Sequence, residues 1–206
     1  MKYLLWDFNG TIIDDLDVCI ESENVIIKRF LDRPPLTKEE YLHIFTFPVK
    51  DYYERVGFDW SKFSYEEVGD CWVKEYQARE NTIKLHDGVK ESLIEAKQKG
   101  IKNIIFSASK HKNLVEQTKM YGIYEYFDEI YGANDVYAYG KSDKASIVIK
   151  DKDPKECLFL GDTLHDLESA NAMGVECILI AKGHQAKDIL LEKTNNVVDD
   201  IREVKL

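Results

Sequence analysis

From Leu85 onward, short apolar runs alternate with helical stretches, and that rhythm leaves few folds open. Runs at 103–106, 129–132, 157–160 and 175–180, with a last one at 197–198, are too short for helices and right for buried strands. Between them the apolar spacing predicts helices near 89–99, 110–121, 142–150, 164–173 and from about 185, with Gly100, Gly122 and Gly174 as stops. Strands and helices in alternation predict an α/β fold: a parallel sheet with right-handed crossovers and helices on both faces. One more run, Tyr3-Leu4-Leu5-Trp6, opens the chain. It stops at a carboxylate, Asp7, and the tight-turn pair Asn9-Gly10 follows. An acid at that point stands on the carboxyl edge of the sheet, where open α/β sheets bind ligands.

The stretch from 16 to 82 breaks the alternation. It reads as helical throughout: a first helix closed by Pro34-Pro35, a capping box at Thr37 and Glu40, a helix entered at Pro48 and ended at Gly57, and a second capping-box pattern at Ser64 and Glu67. It carries ten aromatic side chains between Phe45 and Tyr76, a density that fits a small core of its own. Two units are expected, an α/β core of 1–15 and 83–206 and a helical insert of 16–82.

Charge and cysteine usage narrow the function. The 206 residues carry a net charge of −10, so nucleic acid and anionic membranes are poor partners. None of the four cysteines forms a Cys-x-x-Cys pair, and they read as free thiols of a reducing compartment. The chain enters a strand at once, without the look of a signal peptide, and has no apolar run of membrane-spanning length. A cytoplasmic protein is expected; its oligomeric state is open.

Asp7-Phe8-Asn9-Gly10-Thr11 after a strand resembles the first motif of the haloacid dehalogenase-like phosphohydrolases, Asp-x-Asp-Gly-Thr. Gly161-Asp162-Thr163-Leu164-His165-Asp166 resembles the fourth, Gly-Asp-x-x-x-Asp, at a strand-to-helix junction. Ser107, at a strand end, matches the second, and Lys141 before a helix matches the third. Lys141 is favoured over Lys144, because it follows a glycine at the loop end. The resemblance spans nearly the whole chain. The insert lies where the phosphoglycolate phosphatase-like subclass carries a helical cap.

The resemblance implies a Mg²⁺-dependent phosphatase that acts on a small phosphorylated metabolite through an aspartyl-phosphate. Asp7 is then the nucleophile, and Thr11, Ser107, Ala108 and Lys141 hold the phosphoryl group. Asp7, the carbonyl of Asn9 and Asp162 bind the metal, with Asp166 beside them as a ligand, as the holder of a metal-bound water or as the group that orients Lys141. One position departs from the pattern: Asn9 stands where the family has its general acid/base aspartate. Restoring that acid by Asn9→Asp is expected to raise turnover by about tenfold or more. Asn9-Gly10 is also a deamidation-prone pair. A second reading follows from the same residue, a metal- and phosphate-binding regulatory protein with impaired turnover. His165 is the spare base nearest the acids, though most such histidines are structural. Dehalogenation needs no Mg²⁺ site. Phosphonate hydrolysis would need an insert lysine as a Schiff base, from Lys28, Lys38, Lys50, Lys62 or Lys74, and none lies in a motif. Deleting 16–82 is expected to broaden or abolish substrate choice.

Overall fold

A computed structural model describes residues 1–133 and 142–206, the side chains of 142–144 excepted. Six strands form one parallel sheet: β1 (Tyr3–Trp6), β4 (Lys102–Lys110), β5 (Glu129–Ala133), β6 (Cys157–Gly161), β7 (Glu176–Ile180) and β8 (Val197–Val198), in the order β5-β4-β1-β6-β7-β8. β1 is central, paired with β4 on one side and β6 on the other. The chain winds outward in opposite directions from it, so a crevice opens at the carboxyl ends of β1 and its neighbours, as expected at a topological switch point.

The apolar runs lack polar alternation because both faces of the sheet are covered. Leu4 and Trp6, Ile105, and Leu158 and Leu160 point into one cluster; Leu5, Ile104 and Phe106, and Cys157 and Phe159 point into the other. The second cluster is closed by α7 (Ser142–Ile149), α8 (Leu164–Met173) and α9 (Lys187–Leu191) through Ala145, Val148, Ala170, Met173 and Leu190. The first takes in Val89, Leu93 and Ala96 of α5 (Val89–Gln98) and Leu114 of α6 (His111–Met120), together with the helices of the insert. A buried Trp6 needs a partner for its indole N–H, and Nε1 donates to Asn103 Oδ1 at 3.1 Å.

The insert holds α1 (Leu16–Phe30), α2 (Lys38–Ile44), α3 (Val49–Val56) and α4 (Tyr65–Gln77). Thr37 and Glu40 form the full reciprocal box expected of them. Ser64 accepts from the Glu67 N–H, without the return bond of a full box. Gly57 closes α3 in a left-handed conformation. At the base of the insert the chain leaves and returns side by side, as β2 (Ile13–Asp14) pairs antiparallel with β3 (Lys84–Leu85). That ribbon is too short for periodicity to show, and it was not anticipated. Nor was the length of β4, which runs past Ser107 to Lys110 with a register shift after Phe106. Among the described residues no helix is long and apolar enough to cross a membrane.

Candidate active site

β1 delivers Asp7 to the sheet edge, where its N–H donates to Leu160 O of β6 at 2.8 Å. β6 ends at Gly161, so Asp162 emerges beside it. Asp166 lies in the first turn of α8, four residues on. Carboxylate oxygens of Asp7, Asp162 and Asp166, all buried, lie within 4.8 Å of one another. Burial, with the Asp166 carboxylate adding to it and His184 opposing, pushes the Asp162 pKa up to about 6. Three buried acids brought together cost free energy unless a cation joins them. A set of hard oxygen donors suits Mg²⁺, so the residues present fit that ion.

The Asp162 carboxylate is held on several sides. Thr11 Oγ1 donates to its Oδ1 at 2.9 Å, and the His184 N–H to its Oδ2 at 2.7 Å. Gly10 and Gly183 crowd it so closely that a Cβ on either would lie 2.4 or 2.0 Å from Oδ2. Gly10 also has a φ of +73°, so the turn needs glycine for its conformation as well as for space. Asp166 Oδ2 accepts from the Asp162 and Thr163 N–H groups at 3.1 and 3.0 Å and from Thr163 Oγ1 at 2.7 Å. It thus ties the strand end to the start of α8.

Ser107 is buried on β4, and its Oγ accepts from the Ser109 N–H at 3.2 Å. Ala108 follows it, partly exposed. Lys141 lies outside the described residues, as does the side chain of its competitor Lys144. Thr11, expected at the phosphate, points its hydroxyl at Asp162 instead. His165 stacks on Phe47 of the insert, with ring centroids 4.5 Å apart. The five insert lysines Lys28, Lys38, Lys50, Lys62 and Lys74 are exposed.

Asn9 is bound at both ends of its amide. Oδ1 accepts from Ser109 Oγ at 2.7 Å, and Nδ2 donates to Asp15 Oδ2 at 2.7 Å, with Tyr76 Oη 3.3 Å away. Asp15 is fully buried, at the N-terminus of α1. The His184 ring sits 3.2 Å from Asp15 Oδ1 through Nε2 and 3.0 Å from Tyr41 Oη through Nδ1. Burial opposes charge on both. Even so, the Asp15 carboxylate, with Asp162 and Asp7 beyond it, pushes the His184 pKa up to about 9. In turn His184, with hydrogen bonds from Asn9 and Tyr76, holds the Asp15 carboxyl below its usual range. The two form a buried ion pair that the sequence reading did not single out. A histidine right after a strand and Gly183 was the available signal, and Asp15 stood in plain sight beside the first motif.

Comparisons with known proteins place the chain in a family. The model of the family described as haloacid dehalogenase-like hydrolase matches residues 4–180. The chain belongs to that family. Among its haloacid dehalogenase-like relatives, a pyrophosphatase PpaX from Listeria monocytogenes is 21% identical over 97% of this chain and 96% of its own. A phosphoglycolate phosphatase from Pseudomonas putida is 23% identical over 98% of this chain and 77% of its own. Among solved structures, a haloacid dehalogenase-like hydrolase from Entamoeba histolytica superposes with a TM-score of 0.78, at 24% identity over 100% of this chain and 96% of that one. CbbY from Rhodobacter sphaeroides, solved with phosphate, gives 0.77 at 20% identity over 98% and 96%.

Proposed function

We propose that this hydrolase cleaves a small phosphomonoester through an aspartyl-phosphate on Asp7. The observation that carries the reading is the meeting of Asp7, Asp162 and Asp166 within 4.8 Å at the end of the central strand. An Asp7 oxygen attacks phosphorus as the bond to the leaving oxygen breaks. Water then attacks the same phosphorus, freeing Asp7 and inorganic phosphate. Ser107 Oγ and the N–H groups after it hold phosphoryl oxygens, and Lys141 offsets their charge. Asp7, Asp162 and the carbonyl of Asn9 would hold Mg²⁺, which when bound supplies charge neutralisation at the phosphoryl group. Thr11 steadies Asp162 for that role, and Asp166 fixes the turn behind it. The helical insert serves as a cap over the site: Tyr41 and Tyr76 reach His184 and Asp15, and Phe47 covers His165. The relatives' names make phosphoglycolate the first candidate ester, with pyrophosphate, an anhydride cleaved by the same attack on phosphorus, beside it. Free thiols at all four cysteines fit a cytoplasmic setting.

One observation favours slow turnover. Asn9 cannot exchange a proton at neutral pH, and its amide is engaged at both ends. General acid/base help is worth about 10²–10⁴-fold, so good leaving groups should react far better than alkyl ones. A screen of small phosphate esters and pyrophosphate, with and without Mg²⁺, tests the reading. Release of phosphate only with Mg²⁺ supports it. Tight binding of Mg²⁺ and inorganic phosphate with no turnover on any ester would select the regulatory reading instead.

A further inference from the structure

Asp15 gathers five polar groups around one carboxylate. Its Oδ1 accepts from the Gly10 N–H at 2.9 Å and faces His184 Nε2 at 3.2 Å. Its Oδ2 accepts from Asn9 Nδ2 at 2.7 Å, Tyr76 Oη at 3.0 Å and Cys19 Sγ at 3.6 Å. Those donors come from the turn after β1, from α1, from α4 of the insert and from the loop after β7. Two of them reach the reacting edge directly. Asn9 is fixed between Asp15 and Ser109. His184, fixed between Asp15 and Tyr41, holds Asp162 through its backbone N–H.

We propose that Asn9 and Asp15 are a matched pair: Asp15 is the positioning carboxylate of this site, and the amide at position 9 is the donor that it requires. A donor at position 9 is what lets a fully buried carboxylate sit 2.7 Å away. Asn9→Asp would set acceptor against acceptor beside a fully buried carboxylate, and an unmatched buried polar contact is costly. The single change that looks like a repair from the sequence is therefore a disruption. The reciprocal exchange, Asn9→Asp with Asp15→Asn, keeps the contact between the two positions; Tyr76 Oη, 3.3 Å from the nitrogen of position 9, can donate there instead, and Cys19 Sγ loses its acceptor. Asp at 9 still accepts from Ser109 and now accepts from the new amide at 15, whose oxygen still accepts from Gly10 and from the His184 ring N–H. It also brings a carboxylate to the position where the resemblance to the family's first motif puts the general acid/base.

The proposal rests on the phosphatase reading for its activity arm alone. The test compares wild type, Asn9→Asp, Asp15→Asn and the double exchange, by thermal unfolding and by hydrolysis of para-nitrophenyl phosphate with Mg²⁺. Each single variant is expected to lose at least about 3 °C in Tm, and the double exchange to lose clearly less than the sum of the two, the part that depends on the pair being regained and the part that depends on the charge facing His184 not. Turnover by Asn9→Asp should not exceed wild type, whereas the double exchange should surpass Asn9→Asp by about tenfold or more in kcat. KM should stay within about twofold, because the phosphate-holding groups are untouched. Additive losses in Tm, or an Asn9→Asp variant as stable as wild type and as fast as the double exchange, would overturn the pairing. If the single variants do not fold and the exchange does, the coupling is present in its strongest form. If the exchange itself does not fold, Asn9→Asp with Asp15→Ser, which removes the opposed carboxylate, takes its place and must exceed Asn9→Asp in Tm or in yield of folded protein. Should no variant hydrolyse any ester, the thermal arm still decides the pairing, and the phosphatase reading alone falls.

Discussion

In the proposed mechanism turnover hangs on Asp7, which would serve both as nucleophile and as metal ligand. An amide is poor at either task, so Asp7→Asn is expected to lower phosphate release by more than about 10³-fold. Chelation of wild type should silence it, and Mg²⁺ should restore it; full activity in excess chelator would remove the metal from the reading. Asn9-Gly10 carries a second prediction at the same scale. Deamidation needs the Gly10 nitrogen to attack the Asn9 side-chain carbon, yet that N–H is bound to Asp15 Oδ1 and the amide is held at both ends. Folded protein kept at mildly alkaline pH should keep Asn9 intact, while protein unfolded in urea converts; equal rates by mass spectrometry would show that the contacts do not protect it. Asp7, Ser107 and Asp162 were legible because each lies at or just past the end of a readable apolar run. Asp15 and His184 were not, because their meaning is their contact, which spans 169 residues of chain. Thr11 shows the same limit: its place in the motif was plain, but the direction of its hydroxyl was not.

At the scale of elements, most helices and strands followed from spacing, and the surprises were those too short or too context-bound to read, such as the β2–β3 ribbon. α1 holds a conflict that spacing hid. Glu23 sits on its buried face, and Oε1 has no hydrogen-bond partner. Burial, opposed only in part by Arg33, pushes its pKa up to about 8. The folded state thus keeps this proton to a higher pH than the unfolded chain, which releases it near 4.5. The stability linked to it is present in full below about pH 4.5 and is lost as pH rises through about 8. Glu23→Gln keeps a neutral side chain of the same shape. Its Tm should exceed that of wild type at pH 8.5, with the gap closing toward pH 5. A gap that stays constant across that range would mean that Glu23 does not change its protonation there.

For the molecule as a whole, the decisive feature is that sheet and insert share one apolar cluster. Leu4, Trp6, Leu158 and Leu160 of the sheet belong to it together with Ile20, Ile27, Tyr41, Tyr52 and Val68 of the insert, joined through Phe8, Ile12, Ile13 and Leu16. Polar ties reinforce the union: Ala186 N–H donates to Leu42 O at 3.1 Å, and Gln185 Nε2 to Phe45 O at 2.9 Å. The sequence divided the chain at 16 and 82 because the strand rhythm stops there, and rhythm carries no record of which faces later meet. The union also changes what deletion of 16–82 can test. Removing those helices strips one side of the cluster, and exposed apolar surface on that scale costs far more than a small domain's net stability, so lost folding would mask any change in substrate choice. Sheet and insert are expected to unfold together. In a Trp60→Phe, Trp72→Phe variant, fluorescence reports Trp6 in the sheet alone, while far-UV circular dichroism reports helices throughout, those of the insert included. The two signals should give one Tm within about 2 °C, as for a single cooperative unit. A helical transition that runs well ahead of the Trp6 signal would show that the insert melts on its own, and the deletion would again be a fair test of what it does over the site.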